Sequence, residues 1–88
     1  MKVTRKVCIS NDLGIHLRAA GVLVQVAGQF ESAIWLDRAG EQANAKSIMS
    51  ILALAACKGT ELEIIAEGPD AKDAIESVSD VIGRGFEA

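Results

Sequence analysis

The stretch ELEIIAEGPDAKDAIESVSDVI, at residues 61–82, changes its hydrophobic period halfway and so predicts a strand, a turn and a helix. Its first apolar residues alternate with charged ones, as in a half-buried strand; they are Leu62, Ile64 and Ala66. Gly68 and Pro69 favour a turn, and Asp70 is predicted to cap the helix that follows. That helix has one apolar stripe, formed by Ala71, Ala74, Ile75, Val78 and Ile82. A helix with a single stripe packs on one face of a sheet, which indicates an α+β fold.

The preceding segment predicts a second helix and a hairpin. Ser47 is a natural N-cap, because its hydroxyl can accept from the free N–H groups of the next turn. The helix is predicted to run through Ala55, with Gly59 as its stop. Before it, residues 32–38 alternate as a strand, and residues 39–40 form a plausible turn into a short strand at 42–44.

The N-terminal segment predicts one further strand and helix. Residues 2–10 alternate with a period of two, and residues 11–14 are typical of a loop. From His16, apolar residues recur at helical spacing until Gly28. The order is therefore βαββαβα, most simply a mostly antiparallel four-stranded sheet with its helices on one face, an open-faced sandwich. The pattern alone leaves a ferredoxin-like arrangement open.

Length, charge and cysteine usage limit the class of protein. A chain of 88 residues is predicted to form one domain, residues 1–88. The net charge of −3 has the wrong sign for a nucleic-acid partner. No apolar run is long enough for a membrane span or a signal peptide, which predicts a cytoplasmic protein. Cys8 and Cys57 form no CxxC pattern, and we expect both thiols to be reduced and buried.

Known chemical motifs are few, which leaves His16 as the candidate reactive group. The sequence has neither a GxxxxGK[ST] loop nor a GxGxxG motif, and its cysteines and its only histidine lack metal-ligand spacing. We therefore expect no cofactor and no metal. His16 lies where a helix begins, and the free N–H groups there favour a bound anion such as a phosphoryl group. Arg18 can place a guanidinium near the same anion. From the residues alone, a histidine at a helix start is more often only a cap or a surface residue, so both interpretations stay open.

Three segments carry a family resemblance over essentially the whole chain. They are GIHLRAA at residues 14–20, AKSIMSIL at 45–52 and GPDA at 68–71. With this spacing the chain resembles the HPr family of phosphocarrier proteins of the phosphotransferase system. The resemblance implies an open-faced β-sandwich whose antiparallel strands follow the order 1-4-2-3, with three helices on one face. It also implies a monomeric carrier that is itself not an enzyme.

The resemblance implies a role for several residues. His16 would accept a phosphoryl group on Nδ1 from enzyme I, which phosphoenolpyruvate charges, and pass it to an enzyme IIA domain, while Arg18 would hold the phosphoryl oxygens. Ser47 matches a serine that an HPr kinase/phosphorylase modifies in some lineages. The implied docking surface for partner proteins consists of Leu17, Ile48, Met49 and Leu52.

The sequence departs from the family in two ways and leaves some alternatives open. The helix after His16 lacks the lysines that many sugar-system members have there. The family commonly has proline after the arginine, where this chain has Ala19. Alanine there occurs in some nitrogen-related members, so the branch and the sugar, if any, stay unassigned. The first alternative function is a regulatory interaction protein, whose phosphorylation at His16 or Ser47 controls docking without sugar transport. A second is a ferredoxin-like metallochaperone, which the absence of CxxC disfavours.

Overall fold

The computed structural model describes residues 1–87 and confirms the predicted order of strands and helices. The strands are β1 (Lys2–Cys8), β2 (Ala33–Arg38), β3 (Glu41–Asn44) and β4 (Glu61–Glu67). The helices are α1 (Leu17–Ala27), α2 (Ile48–Ala53) and α3 (Ala71–Gly83).

The four strands form one antiparallel sheet in the order β1-β4-β2-β3. This is the order that the family resemblance implied, and it decides against the ferredoxin-like alternative. Strand β4 lies in the middle, so Ala66 is opposite Val3 on one side and Ile34 on the other. On the outer face, Ile65 is opposite Thr4 and Trp35 in the same way.

The core lies between the inner face of the sheet and the helices. The predicted stripe of α3 is buried in full: Ala71, Ala74, Ile75, Val78 and Ile82. Helix α1 contributes Ala20, Leu23 and Ala27, and the sheet contributes Ile34, Leu36, Leu62 and Ile64. Burial of large side chains such as these contributes about 1.5–3 kcal/mol each, which is the main stabilising term.

Helix α2 is shorter than the sequence predicted. It ends at Ala53, and the chain turns away because Ala55 has a left-handed φ of 52°. The Arg38 Nη1 group donates to the carbonyl of Leu54 at 2.6 Å and to that of Ala55 at 3.3 Å. Arg38 thus satisfies carbonyl groups that the end of a helix leaves without partners.

The prediction that both cysteines are buried was wrong, because Cys8 and Cys57 are both exposed free thiols. Cys8 lies in the outward phase of β1, with Lys2, Thr4 and Lys6. Cys57 begins an exposed turn, which is closed by the bond from Thr60 N–H to the Cys57 carbonyl.

Asp70 precedes α3 as predicted, but it does not cap that helix with its side chain. Its carboxylate instead accepts from the N–H groups of Glu31 and Ser32, at 2.9 Å each, and from the Ser32 hydroxyl. The bond from the Ser32 hydroxyl and the one from the Glu31 N–H hold the pKa of Asp70 below its usual 3.8. The carboxylate therefore ties the start of α3 to the chain that leads into β2.

Among residues 1–87, no helix has both the length and the apolar character that crossing a membrane requires. Ala88, the last residue of the predicted domain, lies outside the described residues.

Candidate functional site

His16 is the N-cap of α1, as the sequence predicted. Its backbone is extended, with φ −87° and ψ −178°, and its carbonyl accepts the first helical hydrogen bond, from Ala20 N–H, at 2.9 Å. The half-buried ring places Nδ1 3.4 Å from the backbone nitrogen of Ala19, which donates to it. At this length the bond is weak. Nδ1, which faces the start of the helix, is therefore placed to accept through its lone pair, and the bond restrains the ring only weakly.

The first turn of α1 is suited to an anion. The N–H groups of Leu17 and Arg18 belong to the helix start, where no helical carbonyl is available to accept from them. No acidic residue lies in this first turn. The positive end of the helix dipole adds to the attraction. The start of α1, where Nδ1 lies, therefore has features that favour a bound anion.

Arg18 and His16 line the same shallow depression, of about 150 Å³. The Arg18 side chain is exposed. Within the described part of the chain there are two ion pairs, Lys58 with Asp12 and Arg84 with Asp80, so the Arg18 guanidinium is not engaged by a carboxylate. The structure thus brings together the two residues that the sequence singled out, with the guanidinium available to a bound phosphoryl group.

The other wall of the depression is the turn after α3, which the sequence analysis missed. Gly85 and Phe86 both have left-handed φ values, 68° and 67°. Phe86 N–H donates to the Val81 carbonyl at 2.9 Å, and its side chain is only 7% exposed. Glycines after an apolar stripe, followed by a large apolar residue, are the signal of such a turn. The turn places Phe86 and Glu87 beside His16 and Arg18.

The loop before His16 is fixed from behind by the segment that follows α2. Ile15 N–H donates to the Ala56 carbonyl at 2.9 Å. Gly14 has φ 63°, and a Cβ atom on it would lie 2.5 Å from the Ala56 carbonyl oxygen, which explains the glycine. Asn11, which the sequence analysis did not single out, donates from Nδ2 to the Gly14 carbonyl at 2.8 Å. These bonds fix the approach of the chain to His16.

Ser47 is the N-cap of α2, as predicted, and is half-buried. Its hydroxyl accepts from Ser50 N–H at 3.3 Å. The Ser50 hydroxyl in turn accepts from Asn44 N–H at 2.8 Å, which joins the start of α2 to β3. The Ser47 side chain therefore has a structural role whether or not a kinase acts on it.

The predicted docking residues differ in exposure. Leu17 and Met49 are 67% and 77% exposed, and Ile48 is also exposed. Leu52 is half-buried and packs against the core, so it offers less surface to a partner. Leu13, in the loop before His16, is 76% exposed and was missed, although a leucine between polar loop residues could have indicated it. Large exposed apolar side chains thus occur on both sides of His16 in the chain.

Comparisons with known proteins show the family of this chain. The family model described as the PTS HPr component phosphorylation site matches residues 3–84. The phosphocarrier protein HPr of Treponema pallidum is 41% identical over 85 residues, which are 97% of each chain. The HPr of Neisseria meningitidis serogroup B is 40% identical over 78 residues, 89% of this chain and 88% of that one.

Solved structures show the same likeness. The crystal structure of an HPr from Bacillus anthracis superposes with a TM-score of 0.85 at 37% identity and covers 90% of this chain and 94% of that one. HPr-C-His from Thermoanaerobacter tengcongensis gives 0.88 at 38%, covering 98% and 94%. A dimeric Crh of Bacillus subtilis gives 0.77 at 35%, covering 98% and 99%. The fold is therefore shared with these HPr and Crh proteins.

Proposed function

The chain belongs to the HPr family of phosphocarrier proteins of the phosphotransferase system, and from that premise we propose that Nδ1 of His16 is the phosphoryl acceptor. A phosphocarrier is not a catalyst but an intermediate that is phosphorylated and then dephosphorylated. The observation that carries the proposal is the position of His16. It is the only imidazole in the chain, and its Nδ1 lies at a helix start without acidic residues.

The transfer uses only groups that this site holds. The lone pair of Nδ1 forms a bond to phosphorus while the bond between phosphorus and the donor breaks, and the electron pair of that bond stays with the donor. The proton of the imidazole remains on Nε2. The N–H groups of Leu17 and Arg18 donate to the phosphoryl oxygens, and the Arg18 guanidinium balances their charge.

We assign enzyme I as donor and an enzyme IIA domain as acceptor, both from the family. We place the carrier in the cytoplasm, where phosphoenolpyruvate is formed. The exposed Leu17, Ile48 and Met49, with Leu52 at their edge, form the proposed docking surface for both enzymes in turn. Flexible methionine suits a surface that fits two partners. An HPr kinase/phosphorylase is the proposed modifier of Ser47.

We further propose that residues 1–88 act as one domain and transfer phosphoryl groups as a monomer. An HPr of Thermoanaerobacter tengcongensis and the Crh of Bacillus subtilis have been solved as dimers, so the oligomeric state is open to direct measurement. Sedimentation velocity of the phosphorylated and unphosphorylated chain decides it. A dimer that persists at micromolar concentration would contradict the monomer.

Incubation with phosphoenolpyruvate and a cognate enzyme I tests the central proposal. Wild type should gain one phosphoryl group that is labile in acid and stable in base, as a phosphoramidate is. His16→Ala should gain none. Equal labelling of the two proteins, or an acid-stable adduct, would place the modification on another residue and overturn the proposal.

The regulatory alternative, docking without transfer, is less favoured. A regulator has no need of a histidine whose Nδ1 is only weakly bonded and lies beside a guanidinium that, among residues 1–87, no carboxylate engages. Passage of the phosphoryl group from His16 to an enzyme IIA domain separates the two functions, because a regulator would hold it.

A further inference from the structure

The backbone N–H of Ala19 is the donor to Nδ1, and this contact has consequences for the reaction. Ala19 is fully buried, and its N–H donates to the ring of His16 at the start of the helix. It also lines the depression shared by His16 and Arg18. Ala19 is the third residue of α1, a position at which the N–H has no helical acceptor of its own.

The contact constrains the imidazole before transfer. A neutral imidazole has one N–H and one lone pair, and a donor facing Nδ1 favours the form with its proton on Nε2. That is the tautomer in which Nδ1 can attack phosphorus. The same bond also occupies the lone pair, so the ring has to turn away from Ala19 before it reacts. At 3.4 Å the bond is weak, and breaking it costs little.

After transfer the lone pair of Nδ1 is used in the bond to phosphorus, and the Ala19 N–H loses its acceptor. A phosphoryl oxygen on Nδ1 is the nearest replacement, because the ring and the N–H share one depression. A hydrogen bond to a charged oxygen is stronger than one to a neutral ring nitrogen. The exchange therefore favours the phosphorylated state.

We propose that the Ala19 N–H is a positioning group that favours the reactive tautomer of His16 before transfer and donates to a phosphoryl oxygen after it. The proposal rests on His16 as acceptor and adds to it a third backbone donor, beside those of Leu17 and Arg18. A residue without an N–H at this position would leave only two.

Ala19→Pro removes the N–H donor. The first turn of a helix accommodates proline better than later turns do. Ala19→Gly is the matched control, since it keeps the N–H and loosens the helix. A charged acceptor makes a hydrogen bond about 1 kcal/mol stronger than a neutral one, which is about fivefold in an equilibrium constant. We therefore expect Ala19→Pro to shift the transfer equilibrium with enzyme I about fivefold toward the donor relative to Ala19→Gly.

The resting state is tested without any partner. In nitrogen NMR spectra of the unphosphorylated proteins at a pH where the ring is neutral, the fraction protonated on Nε2 should fall in Ala19→Pro and stay high in Ala19→Gly. If proline prevents folding, semisynthesis with lactic acid in place of Ala19 removes the N–H and keeps the side chain.

The outcomes separate the two proposals. Equal tautomer fractions and equal equilibria in the proline or lactate protein and the glycine control overturn the role of the Ala19 N–H, even when His16 is phosphorylated normally. Absence of any phosphoryl group on wild type overturns the acceptor assignment, and the tautomer measurement still decides whether Ala19 holds the ring. A fivefold shift together with the tautomer change supports the role.

Discussion

Helices α1 and α3 both begin at an N-cap residue with a polar side chain, but the two side chains differ in how fully the fold satisfies them. At α3 the polar group of the N-cap, Asp70, is fully engaged by donors from the chain before β2. At α1 the N-cap, His16, makes one long bond, and Arg18 and Ala19 line a depression beside it. A helix start whose polar groups are satisfied within the fold contributes to stability, whereas one whose donors are left free is suited to the proposed anion site.

Removing the guanidinium from the start of α1 should have the largest effect of these changes, a loss of phosphoryl transfer rate. Arg18→Ala should fold normally, because the side chain is exposed, and should slow acceptance from enzyme I by about 10²–10³, the usual loss for one oxyanion donor. Single-turnover kinetics give the rate. Lys72→Ala, which removes an exposed positive charge from α3, is the control and should transfer normally. An unchanged rate in Arg18→Ala would show that the helix start alone stabilises the phosphoryl group.

Removing the charge from the start of α3 should act on stability and not on transfer. Asp70→Asn should lower the melting temperature by several degrees, since an amide cannot accept all the bonds that the carboxylate accepts. Asp73→Asn, in the same first turn, is the control. A melting temperature equal to wild type would mean that the bonds of Asp70 to Glu31 and Ser32 contribute nothing net.

The same carboxylate predicts a pH dependence. The folded pKa of Asp70 lies below the usual 3.8, chiefly because of the Ser32 hydroxyl bond, so its contribution is fully present well above pH 3.8 and is lost as the pH falls through the folded pKa. Wild type should therefore lose more stability on acidification below pH 3.8 than Asp70→Asn does. Thermal unfolding at a series of pH values is the measurement, and parallel curves would contradict it.

A charge on the apolar surface near α1 should have a smaller effect on transfer. Met49→Glu should raise the KM of enzyme I for this carrier by about tenfold, equivalent to ~1.4 kcal/mol, without loss of stability. The wild-type KM should change little between low and moderate salt, because the contact is apolar. Thr4→Glu adds the same charge on the outer sheet face and should leave KM unchanged. A steep salt dependence with normal transfer by Met49→Glu would place docking elsewhere.

A change at the start of α2 should have the smallest effect on transfer. This helix start is intermediate between those of α1 and α3, because its N-cap side chain both caps the helix and is a proposed modification site. Ser47→Asp keeps a good N-cap and adds a charge, so it should hold the melting temperature and slow acceptance several-fold by repelling the anionic donor. Ser47→Asn keeps the cap without the charge and should transfer as wild type. Equal rates in the two variants would remove the physical basis for regulation at Ser47.

The periodicity of the sequence predicted the elements but not what each polar group contacts. The stripe of α3 and the alternation of β4 predicted their buried faces, since burial follows the period. Strand order came from the family resemblance, because a period carries no pairing information. The alternation of β1 already placed Cys8 outward, and the preference of thiols for the core was the weaker guide.

The candidate site was predictable only where its residues are close together in the sequence. His16 and Arg18 are two residues apart in the sequence, so their proximity follows from local structure. Phe86 is far from His16 in the sequence, and the glycines before it indicate a turn but not that this turn lines the same depression as His16. Asp70 reaches away from its own helix because its backbone is not extended, with φ −113° and ψ 28°. Contacts that depend on one backbone angle are beyond what residue patterns show.

Ala55 has a left-handed backbone, and the Arg38 guanidinium donates to its carbonyl. The residues that position 38 can accept should therefore depend on the residue at position 55. Alanine in this conformation costs roughly 1–2 kcal/mol, a cost that glycine avoids. Chains with glycine at position 55 should therefore accept many residues at position 38, while chains with alanine there should retain arginine. A chain in which both had changed would reach that state more readily by acquiring the glycine first.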